Sequence, residues 1–199
     1  MLEYLEKVDI RLFCLINKDG QNTLFDYVMP IVSNFNYFIV PLVLWGLFLL
    51  RRKPLMVLGV ILVVAFSDSL CYFVLKPLLG RPRPFDMLSA VHLYKGSWSI
   101  TGTVSQVEGL HSLSLPSSHA TSVFAASFFL SYYMRPWLPF FYLVALMVAY
   151  SRVYIGVHYP FDVLLGAIVG SLMGVLGVRL VRLGSERFQK KRQIHVNGS

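Results

Sequence analysis

The 199-residue sequence predicts an all-α integral membrane bundle, with about five spanning helices and one N-terminal helix lying in the interface. Three observations predict it. Only 14% of residues are charged while 56% are hydrophobic, and mean hydropathy is +0.62; a soluble domain carries about 25% charged residues. Apolar runs recur at 28–50, 55–75, 117–134, 137–155 and 161–181, each close to the roughly 20 residues that cross a bilayer. Basic residues, finally, gather at alternate ends of those runs. One domain over 1–199 accommodates the whole, with no room for a second, soluble one.

Taken in order, residues 1–20 place Leu2, Leu5, Val8, Leu12 and Ile16 at helical spacing, with Glu3, Glu6, Lys7 and Asp9 between them. That pattern suits a helix on the membrane surface, and its scattered acids are unlike a cleavable signal peptide. The bundle proper covers 28–181. Arg51, Arg52 and Lys53 follow its first run, Arg135 its third, and Arg179, Arg182, Arg187, Lys190, Lys191 and Arg192 its last. These are ten of the eighteen basic residues, so that side is expected to be cytoplasmic, the C-terminus with it. The segment 184–199 reads as a basic tail, irregular over QKKRQIHVNGS, where His195 carries no chemistry. Gly166, Gly170 and Gly174 share one face of the last span, as a packing seam within the chain or a dimer contact. Cys14 and Cys71 have neither metal-site nor disulfide spacing and read as packing residues.

The opposite face receives the N-terminal helix, the long segment 76–116 and the turn 152–160. Three clusters meet there. In KPLLGRPRP, prolines 77, 82 and 84 end the second span and leave Lys76, Arg81 and Arg83 at the membrane edge, as snorkelling cations or as an anion site. In LPSSHATS, Ser117 and Ser118 open the third span and His119 occupies its first turn; a helix N-terminus attracts anions, and a histidine beside it can move a proton. In SRVYIGVHYPFD, Pro160 starts the last span, Asp162 can reach back one turn to His158, and Arg152 supplies a planar fork for phosphate oxygens. Ionisable residues at spanning-helix ends are costly and point to function.

Lys76 with Arg83-Pro84 fits K-x6-R-P, Pro116-Ser117-Ser118-His119 fits P-S-G-H with serine in place of glycine, and Ser151-Arg152 with His158 and Asp162 fits S-R-x5-H-x3-D. The chain therefore resembles the type 2 phosphatidic acid phosphatase (PAP2) family of membrane lipid phosphatases, which shares its site with vanadium haloperoxidases. The match spans 76–162.

The resemblance implies a metal-independent hydrolase of phosphomonoesters or diphosphates, without a cofactor, acting through a phosphohistidine. His158 would be the nucleophile, Asp162 its orienting carboxylate and His119 the acid for the leaving oxygen. Lys76, Arg83, Arg152 and Ser117 would hold the phosphoryl group together with Ser118, whose side chain could crowd the phosphate or donate to it. Arg81, outside the motif, would touch substrate or headgroups. The implied partners are a lipid phosphate and membrane lipid, not nucleic acid; oligomeric state stays open.

The substrates implied are envelope lipids: lipid A 1-phosphate, undecaprenyl diphosphate or phosphatidylglycerol phosphate. The implied location is a bacterial inner membrane, with the site facing the periplasm. The loop 85–115, carrying Tyr94, Lys95, Trp98, Glu108 and His111, is long enough for a lid, although Tyr94 and Trp98 equally suit interfacial anchors. His92 and His111 read as solvated loop residues. Two other classes stay in view: a vanadate-dependent haloperoxidase, and a small anion transporter to which Asp68 within the second span lends weight.

Overall fold

The computed structural model describes residues 2–101 and 113–197, with side chains described over 3–101 and 113–186. Its helices are α1 (Leu2–Cys14), α2 (Thr23–Ser33), α3 (Ile39–Leu50), α4 (Pro54–Leu70), α5 (Lys76–Leu79), α6 (Pro84–Met87), α7 (Ser118–Tyr133), α8 (Leu138–Tyr154) and α9 (Pro160–Asn197). α7 is the central helix, packed on α9, α4 and α8. Among the described residues, Pro54–Leu79, Arg135–Tyr154 and Pro160–Glu186 are long and apolar enough to cross a bilayer. A fourth span results if Thr23–Ser33 and Phe35–Leu50, bent by 70°, count as one. α7 occupies the expected third span but, at 16 residues, is shorter than the other candidates.

Local chemistry explains the breaks. Pro30 lies inside α2, and Asn34 leaves the helix with an extended backbone while its side chain accepts the Asn36 N–H, starting the next turn at 3.1 Å. α4 begins on Pro54 and runs on through a wide π-turn at Cys71–Leu75. The extra residue in that turn rotates the following register, and Lys76 faces inward, 6% exposed. Gly80, at φ 57°, then ends α5 and donates its N–H to Lys76 O at 2.9 Å.

The glycine seam of α9 packs within the chain. A Cβ on Gly166 would lie 2.7 Å from Ser117 O, and one on Gly174 would lie 2.9 Å from Ala125 O, so α7 and α9 approach as closely as their backbones allow.

Three features depart from the sequence expectations. The chain is not purely helical: β1 (His92–Tyr94) and β2 (Trp98–Ile100) pair antiparallel around Gly96, which sits at φ 86°. Three-residue strands are too short to show an alternating pattern. The hairpin is pinned by Asn17, which donates to His92 O (2.8 Å) and Tyr154 O (2.7 Å) and accepts the His92 N–H (3.0 Å). His92 is thus no solvated loop residue; its ring stacks on Trp98 at 4.2 Å, and Trp98 donates to Asp26 O at 3.1 Å. Glu108 and His111 lie outside the described residues. Second, α9 continues through Asn197 where an irregular tail was expected, because no proline or glycine interrupts 185–197 and Glu, Gln, Lys and Arg favour helix. Third, the buried line of the N-terminal segment is Asp9 and Phe13 of α1 and Asn17 of the π-turn Leu15–Asp19 that follows it, while Leu5 and Leu12 on the neighbouring stripe are exposed.

Candidate active site

His158 lies in the turn that joins α8 to α9, and Asp162 lies just beyond it. The turn is tied back to α8, since the N–H groups of Val157 and His158 both donate to Arg152 O at 3.2 Å. Pro160 opens α9 and puts Asp162 in its first turn, where the helix dipole favours a carboxylate. His158 Nδ1 and Asp162 Oδ2 are 3.6 Å apart, longer than a hydrogen bond. The link between them is Ser114. Its hydroxyl lies 3.3 Å from His158 Nδ1 and makes a short hydrogen bond to Asp162 Oδ2, which also accepts the Tyr159 N–H at 2.8 Å. Ser114 is fully buried and is placed by its own N–H, which donates to Arg81 O at 2.7 Å. With Nδ1–H directed to Ser114, the Nε2 lone pair of His158 remains available.

Asp162 Oδ1 accepts from Arg81 Nη1 at 2.8 Å, and Arg81 Nη2 pairs with Asp9 at 2.7 Å. Arg81, expected to meet substrate or headgroups, is therefore engaged by two buried carboxylates and also lies over the Tyr159 ring at 3.9 Å.

The other cations are arranged differently. Among the described residues Lys76, Arg83 and Arg152 form no ion pair, and Arg83 Nε and Arg152 Nε are buried without a hydrogen-bond partner. Arg152 Nη1 bonds to Ser33 Oγ at the end of α2, which orients the guanidinium. Ser117 occupies the N-cap of α7, yet its hydroxyl does not cap the helix and is also buried without a partner. Its backbone is held instead, N–H to Asp162 O at 3.0 Å. Ser118 is the first residue of α7, and His119, in the same turn, is exposed. His119 lies within electrostatic reach of Lys76, Arg83, Arg152 and His158. Buried Asp86 lies within electrostatic reach of Arg83 and Asp68 within reach of Lys76, but neither makes an ion pair, so the unpartnered donors suit the oxygens of a phosphoryl group.

His158 is 2% exposed, and burial is the main cause that pushes its pKa down to about 4. Asp162 opposes that shift, while Arg152 and Arg83 add to it. The imidazole is therefore neutral at physiological pH, as a nucleophile or proton acceptor must be.

The family model described as PAP2 superfamily matches residues 54–184, which include every residue of this cluster except Asp9 and Ser33. The chain belongs to the PAP2 superfamily. It is 27% identical over 213 residues to the lipid A 4'-phosphatase of Bacteroides thetaiotaomicron, covering 100% of this chain and 88% of that protein. The undecaprenyl-diphosphatase of Sulfolobus acidocaldarius is 28% identical, with 88% of this chain and 80% of that protein covered. Among solved structures, Aquifex aeolicus LpxE superposes with a TM-score of 0.69 at 26% identity, over 86% of this chain and 95% of its own. This PAP2 member is a phosphatase and an integral membrane protein, acting on lipid phosphate.

Sequence reasoning missed Ser114, Asp9 and the role of Arg81 in this cluster. Arg81 carried a usable signal, as a cation outside the K-x6-R-P positions. Ser114 carried none, lying two residues before Pro116 in a segment that the sequence leaves without pattern. Asp68 lies on the exposed face of α4 but within electrostatic reach of Lys76, as expected of a carboxylate that supports a neighbouring cation; its neighbour Ser67 is buried and donates to Val63 O at 2.6 Å.

Proposed function

We propose that this PAP2 protein hydrolyses the phosphate of a bacterial envelope lipid through a phosphohistidine on His158, with His119 as general acid and then general base. The observation that carries the reading is the two-sided setting of His158. A carboxylate and a hydroxyl stand at Nδ1, while Arg83 and Arg152, within electrostatic reach of the ring, and Lys76 form no ion pair among the described residues, and Arg83 Nε, Arg152 Nε and the Ser117 hydroxyl are buried without a hydrogen-bond partner.

In the first step Nε2 of His158 attacks phosphorus, the bond to the leaving oxygen breaks, and His119 gives that oxygen a proton. Lys76, Arg83, Arg152, Ser117 and the N–H groups opening α7, Ser118 among them, carry the charge on the equatorial oxygens. Asp162 and Ser114 hold Nδ1–H and stabilise the positive charge that develops on the ring. In the second step water attacks phosphorus, His119 takes its proton, the P–N bond breaks, and inorganic phosphate leaves. No step calls for a metal, since three cations and a helix N-terminus supply the positive charge.

Among substrates we favour a lipid A phosphate, supported by the similarity to a lipid A 4'-phosphatase along the whole chain. The basic ends of the spans favour an inner-membrane orientation with the C-terminus cytoplasmic and His158 facing the periplasm. Phosphate release from lipid A, undecaprenyl diphosphate and phosphatidylglycerol phosphate in detergent tests the reading. Turnover is expected to be fastest on lipid A, and His158→Ala and His119→Ala are expected to be inactive while remaining folded. Near-normal turnover by either variant would overturn the mechanism, and a clear preference for another lipid would overturn the substrate.

A further inference from the structure

Asp9 is the least expected buried residue of the molecule. It belongs to the N-terminal helix, outside the matched family region and 153 positions from Asp162, yet its exposure is 0%. One carboxylate oxygen accepts the Phe161 N–H at the start of α9 (2.9 Å), and the other pairs with Arg81 (2.7 Å). Arg81 in turn reaches the oxygen of Asp162 that does not face His158 (2.8 Å), and its plane is held over Tyr159. Phe13, one turn after Asp9, packs on the same Tyr159 at 5.5 Å, so α1 seats the charge from below and the ring from the side.

We propose that Asp9 and Arg81 are positioning residues for phosphoryl transfer, which act through Asp162 to fix the place and the charge felt by His158. This rests on the reading of His158 as the nucleophile. A simple surface anchor would not need a fully buried carboxylate, because an apolar side chain docks a helix without the desolvation cost of a buried charge. Nor is Arg81 a free substrate ligand, since both its terminal nitrogens are committed. The consequence is electrostatic. Burial raises the Asp9 pKa while the Phe161 N–H and Arg81 hold the carboxylate charged against it; with Asp9 ionised, two carboxylates and one guanidinium leave a net negative charge behind Nδ1, where Asp162 and Arg81 alone would leave none. That charge favours the imidazolium-like ring of the attacking nucleophile, and it opposes Arg152 and Arg83, which act on the same ring.

The test uses the full-length protein in detergent, with dioctanoyl phosphatidic acid as probe and phosphate release as readout across pH. Arg81→Gln, Asp9→Asn and the double variant are compared. In both single variants kcat is expected to fall about 10- to 100-fold with KM within threefold, as for groups that act on the transition state. Removing the positive charge in Arg81→Gln should move the acid limb of kcat/KM upward. Removing the negative charge in Asp9→Asn should move it downward, and the double variant should lie between them. Limbs that stay in place, or kcat losses that only follow a lower melting temperature, would overturn the inference, as would a KM rise at constant kcat. If Asp9→Asn does not fold, the upward shift in Arg81→Gln decides alone. His158→Ala in the same assay separates the two readings: activity there defeats the nucleophile assignment, whereas an inactive His158→Ala with unmoved limbs defeats this inference only.

Discussion

Ser114→Ala tests the link between His158 and Asp162 directly. The two side chains are 3.6 Å apart, and the Ser114 hydroxyl contacts both. Removing it leaves Nδ1–H without a partner at hydrogen-bonding distance, and Asp162 Oδ2 keeps only the Tyr159 N–H. A hydrogen bond to a charged group contributes about 1.5–3 kcal/mol. If that contribution is realised as the ring gains positive charge, kcat should fall about 10- to 150-fold at nearly constant KM. Thermal unfolding in detergent supplies the control, with a loss of about 1–3 kcal/mol expected because Ser114 is fully buried. Ser114→Thr, which keeps the hydroxyl, should recover part of the rate. A folded Ser114→Ala protein with less than a twofold change in kcat would refute the bridging role and imply that Asp162 reaches Nδ1 unaided.

Because burial pushes His158 down to about 4, the acid limb of kcat/KM, after correction for substrate ionisation, should fall nearer pH 4 than the 6.5 of a free imidazole. The same shift makes stability rise with pH between about 4 and 6.5, where the unfolded chain binds the proton and the folded one does not; unfolding midpoints across that window check the sign. Vanadate should inhibit and chelators should leave turnover unchanged; activity lost to chelator and restored by a divalent ion would contradict the proposed mechanism. Asn17→Ala should cost about 2–4 kcal/mol, since it strips partners from His92 and Tyr154, and hydrogen exchange in the β1–β2 hairpin should accelerate first. Gly174→Val should lower the melting temperature, because even a Cβ there would press on Ala125 O at 2.9 Å.

The parts of the site that were legible in the sequence are those whose geometry follows from local rules. His158 and Asp162 are four residues apart, Ser117 and His119 share a helix start, and Lys76 and Arg83 flank the end of the second span, although that helix runs through Pro77, where a break was expected, and ends at Gly80. Each of these pairs is close in sequence within one short segment. Ser114 and Asp9 depend instead on contacts made across the fold. Ser114 is set beside His158 by an N–H donated to Arg81, and Asp9 meets Arg81 only because α1 turns its Asp9–Phe13 flank inward. The leucine stripe of α1 was visible, but in a membrane protein an apolar stripe can face lipid, so hydrophobicity did not identify the packed side. The bend between α2 and α3 was hidden for a related reason: the run 28–50 is apolar throughout, and only Pro30 and Asn34 mark the break.

The arrangement of the four arginine and lysine side chains bears on how the imidazole is polarised. Arg81 is balanced by two carboxylates on the Nδ1 side of His158, whereas Lys76, Arg83 and Arg152 make no ion pair among the described residues. If all four cations were unpaired, His158 would be held in a uniformly positive field that opposes the ring charge developing during attack. If all four were paired, nothing would draw a phosphoryl group to Nε2. Under the proposed mechanism, pairing Arg81 while leaving the other three without an ion pair would separate the two demands, with negative charge at Nδ1, where the ring would become positive, and cations left for the phosphate. In the proposed division Arg81 could not simply join the proposed phosphate ligands, although it is only two residues from Arg83: once released from Asp9 and Asp162 it would weaken the proposed nucleophile while strengthening substrate binding.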